Sequence, residues 1–282
     1  MSLLAHWPID DGILDTPTTA RDAAAGGSGS HAGTYDKTSY STLLPGGVGG
    51  RHMLCAFGGH IHSIGNPADF RNLHGEMTIA MWLWTDEFSS TFGLYQWTDE
   101  IRRFVSCSIA NGGSIVTNNS FLFRNNGRKL HISWQHDANV TETIETTSDV
   151  LYPCGPQHIA VVRYLISGST YGVRFYRNGQ EVEDRSTGWT GPNGCDNAIP
   201  YIAKDYSGVN WLTLYFDSVR IYDEALNATA VEALYDSEEP LVHAPVSVAP
   251  YNMTDIGQPG DPYKLVHNGI FNGRQQAGWG QI

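Results

Sequence analysis

Asp217 is the residue in this sequence with the plainest chemical obligation. Alternation along Tyr215-Phe216-Asp217-Ser218-Val219-Arg220-Ile221 places it on one strand face with Val219 and Ile221. A carboxylate on an apolar face must be paired, hydrogen-bonded or metal-bound, because bare burial costs several kcal/mol. An arginine, or backbone N–H groups of the glycine-rich loop at 23–33, would meet that need as well as a cation would. His60 and His62 share a strand face at i, i+2, and His131 and His136 fall close together in another run. Neither pair has a third ligand at a recognisable spacing, so surface or hydrogen-bonding roles are expected rather than a transition-metal site. Cys55 and Cys107 lie in apolar strand-like runs and read as small buried hydrophobes. Cys154 and Cys195 lie in Gly/Pro turns and could pair, although four scattered cysteines make no disulfide framework. The chain has no G-x-S-x-G elbow, and Gly26-Gly27-Ser28-Gly29 follows no strand–helix unit that would make it a phosphate cradle.

These residues are carried on short β-runs separated by Gly, Asn and Pro, the pattern of a sandwich or barrel. Leu3–Ile9 comes first, with Leu3, Ala5, Trp7 and Ile9 on one face. His52–Phe57 and His60–Ile64 are joined through Gly58-Gly59, which predicts a tight hairpin. Met77–Trp84 is apolar on both faces and is expected at the centre of a stack. Further strands are expected at Arg103–Ile109, Ser120–Arg124, Leu130–Gln135, Thr143–Thr147, His158–Ile166, Ile199–Ala203 and Leu212–Tyr222. Tyr171–Arg177 and Gln180–Asp184 flank Asn178-Gly179, the strongest hairpin signal in the chain. One helix is predicted, Asn227 to Tyr235, capped by Asn227 or Thr229, with Val231, Leu234 and Tyr235 as its apolar stripe.

The chain has 282 residues, with 29 acidic against 17 basic and a formal charge of −12. That balance argues against a nucleic-acid partner, which needs a clustered Lys/Arg footprint. With 41% hydrophobic residues the chain can build a proper core, and no apolar run approaches the length of a membrane span. Met1 to Pro8 has neither a basic n-region nor a cleavage site, so no signal peptide is expected and folding in a cytoplasm is. From Glu239 onward the character changes. Pro240, Pro245, Pro250, Pro259 and Pro262 leave no regular period, which predicts a domain at 1–238 and an extended arm at 239–282. Such an arm orders only when pinned along its length, with Tyr263, Phe271 and Trp279 as anchors onto a neighbouring subunit or the protein itself.

Three stretches, in order, carry a family resemblance. The first is Leu4-Ala5-His6-Trp7-Pro8-Ile9-Asp10, followed by Arg21-Asp22 and a Gly/Ser/His-rich loop. The second is Gln157-His158-Ile159-Ala160-Val161-Val162, continuing to Arg174-Phe175-Tyr176-Arg177-Asn178-Gly179-Gln180. The third is Phe216-Asp217-Ser218-Val219-Arg220-Ile221-Tyr222-Asp223-Glu224-Ala225-Leu226, then Ala230-Val231-Glu232-Ala233-Leu234-Tyr235. Together they resemble the laminin-G-like jelly roll of the concanavalin A-like lectin/glucanase superfamily over roughly residues 3–237. Residues 85–157 are longer than that pattern, and the arm lies outside it.

The resemblance implies an all-β, two-sheet jelly roll with one short helix and an extended C-terminal arm. It implies Ca²⁺ as a cofactor, shared between Asp22 and Asp217 with backbone carbonyls. Glucanases of the superfamily set carboxylates on alternate residues of one strand; Glu142 and Glu145 have the wrong spacing, and Glu181-Val182-Glu183-Asp184 lies on a hairpin arm. No enzyme is therefore expected. Glycan binding, the family's common use, needs aromatic faces beside polar groups, and Trp97 with Asp99, Trp189, and Tyr206 near Trp211 supply them, unless each roofs its own core. The function expected first is a structural role in a virion, as a phage capsid decoration or tail-associated protein, whose partners are other capsid or tail subunits. The alternative is a calcium-assisted, secreted or cell-surface carbohydrate-binding module, and host glycan is a partner under either.

Overall fold

A computed structural model describes residues 2–9, 19–24, 30–36, 39–41, 52–55, 60–84, 103–108, 119–137, 140–152, 156–192, 198–205, 208–209 and 214–242. Two antiparallel sheets face each other. The first sheet contains β1 (Leu3–Trp7), β4 (Ser39–Ser41), β5 (His52–Cys55), β7 (Met77–Trp84), β12 (Gln157–Ser167), β13 (Thr170–Arg177), β14 (Gln180–Thr190) and β18 (Leu214–Tyr222). Its spatial order is β14-β13-β12-β7-β18-β5-β4, with β1 also paired to β18. The second sheet contains β2 (Thr19–Ala20), β3 (Gly33–Asp36), β6 (His60–His62), β8 (Arg103–Ser108), β9 (Asn119–Asn126), β10 (Lys129–Asp137), β11 (Val140–Glu145) and β15 (Ile199–Ile202), in the order β11-β10-β9-β8-β15-β6-β3-β2. β16 (Lys204–Asp205) and β17 (Gly208–Val209) form a separate two-stranded ribbon against the second sheet, where Lys204 O accepts the Ser106 hydroxyl at 2.7 Å. The all-β sandwich expected from the sequence is the observed architecture.

Alternation explains the core. Ile79, Met81 and Leu83 of β7, Ile159 and Val161 of β12, and Val173 and Phe175 of β13 point inward. They meet Phe104, Phe121, Phe123, Ile132 and Trp134 from the second sheet. β7 lies between β12 and β18, and its outward residues Ala80 and Trp82 are buried too, which accounts for a strand apolar on both faces. Asn178 (φ 50) and Gly179 (φ 76) turn β13 into β14 with both residues in the left-handed region, as the Asn-Gly pair requires.

Three expectations need correction. Gly58-Gly59 does not close a hairpin: β5 pairs with β4 and β18 in the first sheet, whereas β6 pairs with β3 and β15 in the second. A local turn signal does not distinguish a hairpin from a crossover between layers. There are two helices among the described residues, not one, because Pro67–Arg71 forms a five-residue helix, α1. The second, α2 (Ala228–Val242), runs seven residues beyond the expected helix end at Tyr235. Pro240 reads as a stop signal, but it falls in the last turn of this helix. Asn227 is the cap, its Oδ1 accepting the Ala230 N–H at 2.9 Å.

Candidate functional site

Register fixes which strand ends lie together. Trp84 pairs with Tyr215 and Cys55 with Leu214 in the first sheet. In the second, Ile202 pairs with Val105 and Ile61, and Asp36 with His60. The rings of Phe104 and Phe216, 6.2 Å apart, join the two layers at this same end. The strand ends flanking segments 37–38, 56–59, 85–102, 206–207 and 210–213 therefore gather at one end of the sandwich. Trp97, Asp99, Tyr206 and Trp211 belong to those segments and lie outside the described residues themselves.

Trp189 is at the opposite end, paired with Tyr171 beside the β12–β13 turn, and its ring packs on the core. Trp189 is thus at the end of the sandwich opposite the strand ends that border the segments bearing the other four. Cys154 and Cys195 also lie outside the described residues, and their flanks sit at opposite ends too, since Gln157 pairs with Leu83 whereas Ile199 pairs with Ser108. Tyr263, Phe271 and Trp279 lie outside the described residues as well.

Asp217 is fully buried, but not on the face alternation assigns to it. Asp217 pairs with Trp82 and Arg220 with Ala80, so three steps on β18 match two on β7. The extra residue is a bulge at Ser218, which has φ 48. Phe216, Val219 and Ile221 consequently point into the core, while Asp217 shares the outer face with Trp82, beneath α2. That face is a buried polar layer. Glu238 of α2 accepts the Trp82 indole N–H at 2.8 Å and the Ser218 hydroxyl at 2.7 Å, and pairs with the Arg220 guanidinium. His6 Nε2 lies 3.2 Å from Ser218 Oγ. The His158 ring lies edge-on to Trp82, 5.4 Å between centroids, and 6.1 Å from Tyr235. Burial first, then the Arg220 charge, pushes His158 down to about 3, and the same two causes take His6 to about 3 against the opposing charge of Asp22.

Asp22 is buried elsewhere, on the far side of β1. One oxygen accepts the His6 and Ala24 N–H groups, each at 3.0 Å. The other accepts the His31 N–H at 3.3 Å and lies 3.0 Å from His31 Nδ1. Burial alone would raise this carboxyl; the donors of His6, Ala24 and His31 outweigh it and hold it below its ordinary value. His31 continues the chain to Asp69, 2.9 Å from its Nε2. A carboxylate has about four acceptor positions, and all four of Asp22's are taken by the chain, so Ca²⁺ would have to displace His31 to reach it. Asp22 hangs on His6, whose register partner Arg220 lies three residues along β18 from Asp217.

The other carboxylates weighed for catalysis are tied to neighbours. Glu142 accepts the Thr190 N–H at 3.4 Å and lies 3.6 Å from His136. Glu145 accepts from Asn126 Nδ2 at 2.6 Å and lies 3.8 Å from His131 Nδ1. Glu183 takes both the N–H and the hydroxyl of Thr147. Asp184 takes the Tyr164 hydroxyl at 2.6 Å and Arg174 Nε at 3.1 Å on the open outer face of β12–β14. Sequence reasoning missed Glu238, because one acid in a run of charged helical residues carries no mark of burial. It also missed Asp36 as the companion of His60, since their strands pair across 24 residues of chain.

The family described as the concanavalin A-like lectin/glucanases superfamily matches residues 58–232, through its laminin-G-like member. By fold the chain is similar to the receptor-binding domain of botulinum neurotoxin type G, with a TM-score of 0.52 at 13% identity, covering 84% of this chain and 51% of that one. The serotype D binding domain gives 0.53 at 10% identity, covering 84% and 52%. The binding domain of botulinum neurotoxin DC, in complex with SialylT, gives 0.51 at 9% identity, covering 84% and 51%. The chain spans about half the length of these structures, and at such identities the likeness is one of fold. Among curated proteins, no sequence matches. Among the described residues, no helix is long and apolar enough to cross a membrane.

Proposed function

Since the chain belongs to the concanavalin A-like lectin/glucanase superfamily, we propose that it is a glycan-binding protein without catalytic activity, its sugar held at the loop-bearing end of the sandwich. The observation that carries this reading is the register of Trp84 with Tyr215. These register partners are the described strand ends next to the segment bearing Trp97 and Asp99 and next to the one bearing Trp211. Aromatic faces with a carboxylate beside them are what sugar stacking and hydroxyl recognition need. Trp189, at the other end, is assigned to the core. If Ca²⁺ assists, it enters by taking Asp22 from His31. The assembly role in a virion drew on the arm from 239 onward; residues 243–282 lie outside the described structure, and nothing described favours that role.

The test is a glycan array probed with the full chain in Ca²⁺ and in chelator. Trp97→Ala and Trp211→Ala should each abolish the signal that Trp189→Ala leaves in place. An array silent in both conditions, or a signal indifferent to Trp97 and Trp211, would sink the proposal.

A further inference from the structure

We propose that Asp36, His60 and His62 form a zinc site on the outer face of the second sheet. Tyr35 and Ile61 pair across β3 and β6 and point into the core. Asp36 and His60, the next pair, therefore face outward, and so does His62, two residues along β6. The His60 and His62 rings are 5.3 Å apart between centroids. Asp36 Oδ2 lies 3.7 Å from His60 Nε2. One donor atom from each of the three residues lies within 4.8 Å of the others. Tetrahedral zinc with bonds of about 2.0–2.1 Å sets its ligands about 3.3 Å apart. Small χ adjustments close that gap without moving either strand.

The donor set chooses the ion. Two imidazoles and one carboxylate suit zinc or another late first-row metal, whereas Ca²⁺ and Mg²⁺ prefer oxygen alone. His62 Nδ1 lies 2.8 Å from Ser63 Oγ, an outer contact that orients the ring and leaves Nε2 for the metal. The His60 side chain is 6% exposed and that of Asp36 is 43% exposed, so the site is buried on one flank and open on the other. The open side leaves a fourth position for water.

Lys204 Nζ lies 3.4 Å from His60 Nε2, which places a cation where the metal would sit. The same ammonium is 5.4 Å from the Tyr201 ring centroid, a second resting place once a metal displaces it. Lys204 is thus a competitor, and its removal should help the metal. The site also has a structural meaning. After Asp36 the chain leaves the second sheet, supplies β4 and β5 to the first, and returns at His60. A metal joining Asp36 to His60 would clip the base of that excursion.

The full chain, stripped with chelator, is titrated with Zn²⁺ by calorimetry at neutral pH, and with Co²⁺ by visible absorption. One Zn²⁺ per chain should bind in the micromolar range or tighter, undisturbed by excess Ca²⁺ or Mg²⁺, and Co²⁺ should give the intense bands of a low-coordinate site. His62→Ala, at a half-buried surface position, should lose the cobalt bands and weaken zinc by roughly 10–100-fold or more, and Lys204→Ala should tighten it. Asp36→Asn, which keeps shape and size, repeats the test should His62→Ala unfold. The chain has 11 histidines, so heat alone proves nothing: zinc binding equally well to both variants, or only at millimolar metal, overturns the site.

Discussion

Arg163 is buried and Arg220 largely shielded from solvent, by opposite means. Arg220, its side chain 13% exposed, lies under α2 against the carboxylate of Glu238. Arg163 is fully buried inside the sandwich at the far end, and its described partners are all uncharged. Its Nε donates to Gly75 O at 2.9 Å and its Nη2 to Leu73 O, and its guanidinium lies 5.1 Å from the Trp134 ring centroid and 5.9 Å from that of Tyr171. Burial pulls Arg163 down to about 10, opposed by Tyr171. One cation is neutralised by a partner that a helix delivers; the other is solvated by carbonyl dipoles of the loop it fastens and by aromatic faces on β10 and β13. The first arrangement couples two elements, so it can be removed as a pair. The second has no counter-charge among the described residues to remove with it.

Breaking the pair from one side should have the largest effect. Glu238→Ala strands a guanidinium under α2 and should cost about 3–5 kcal/mol in urea unfolding, whereas the double change Arg220→Met with Glu238→Met should cost much less. Equal losses for the single and the double variant would show that the bonds Glu238 accepts from Trp82 and Ser218, and not its pairing with Arg220, carry the effect. Next, Arg163→Met leaves Leu73 O and Gly75 O without their donors and should cost about 2–4 kcal/mol. No second substitution at a carboxylate should rescue it, and finding one would mean that the arginine has a counter-ion after all.

Acid should act on the helix-covered layer. His158 is held at about 3 in the fold against 6.5 ordinarily, so between those values the unfolded chain takes a proton that the folded chain refuses. Its contribution is full above pH 6.5 and is lost as pH falls through that window, by about 1.4 kcal/mol per pH unit. His6, at about 3, and His131, at about 4, steepen the same limb. His158→Leu should flatten it by close to one proton, read from stability curves at several pH values; an unchanged slope would place His158 outside the titrating set. The smallest effect belongs to the open face. Asp184→Ala removes partners of Tyr164 and Arg174, yet that pair is part-exposed and should cost only about 0.2–1 kcal/mol. Burial of the Tyr164 hydroxyl and its bond to Asp184 hold its pKa up at about 12, so the same variant should lower the pH of its ultraviolet titration.

Much of the fold could be read from local chemistry. Asn178-Gly179 forces its turn, the doubly apolar Met77–Trp84 demands a central place, and the Phe216–Tyr235 stretch announces a strand followed by a helix. What escaped was set by contacts distant in sequence. Gly58-Gly59 looked like a hairpin because pairing partners 159 residues from Cys55 and 141 from Ile61 do not show in a turn. Glu238 went unmarked because its donor Trp82 lies 156 residues earlier in the chain. Asp217 was rightly singled out as buried but given the wrong face, because alternation assumes an unbroken pleat and one bulge defeats it. His60 and His62 were correctly placed on a shared face, and the acid beside them came from another strand.

The bulge at Ser218 also acts as a frameshift in the reading of β18. Two consecutive residues, Asp217 and Ser218, sit on the outer face, and the two-state rhythm resumes with Val219 inward. Deleting Ser218 would restore a strict rhythm with Phe216, Val219 and Ile221 still inward and Arg220 still facing α2. The same deletion in β12, at Ala160 for instance, would turn half of a central strand inside out. β18 is therefore a place where this sandwich can lose a residue and keep its reading frame.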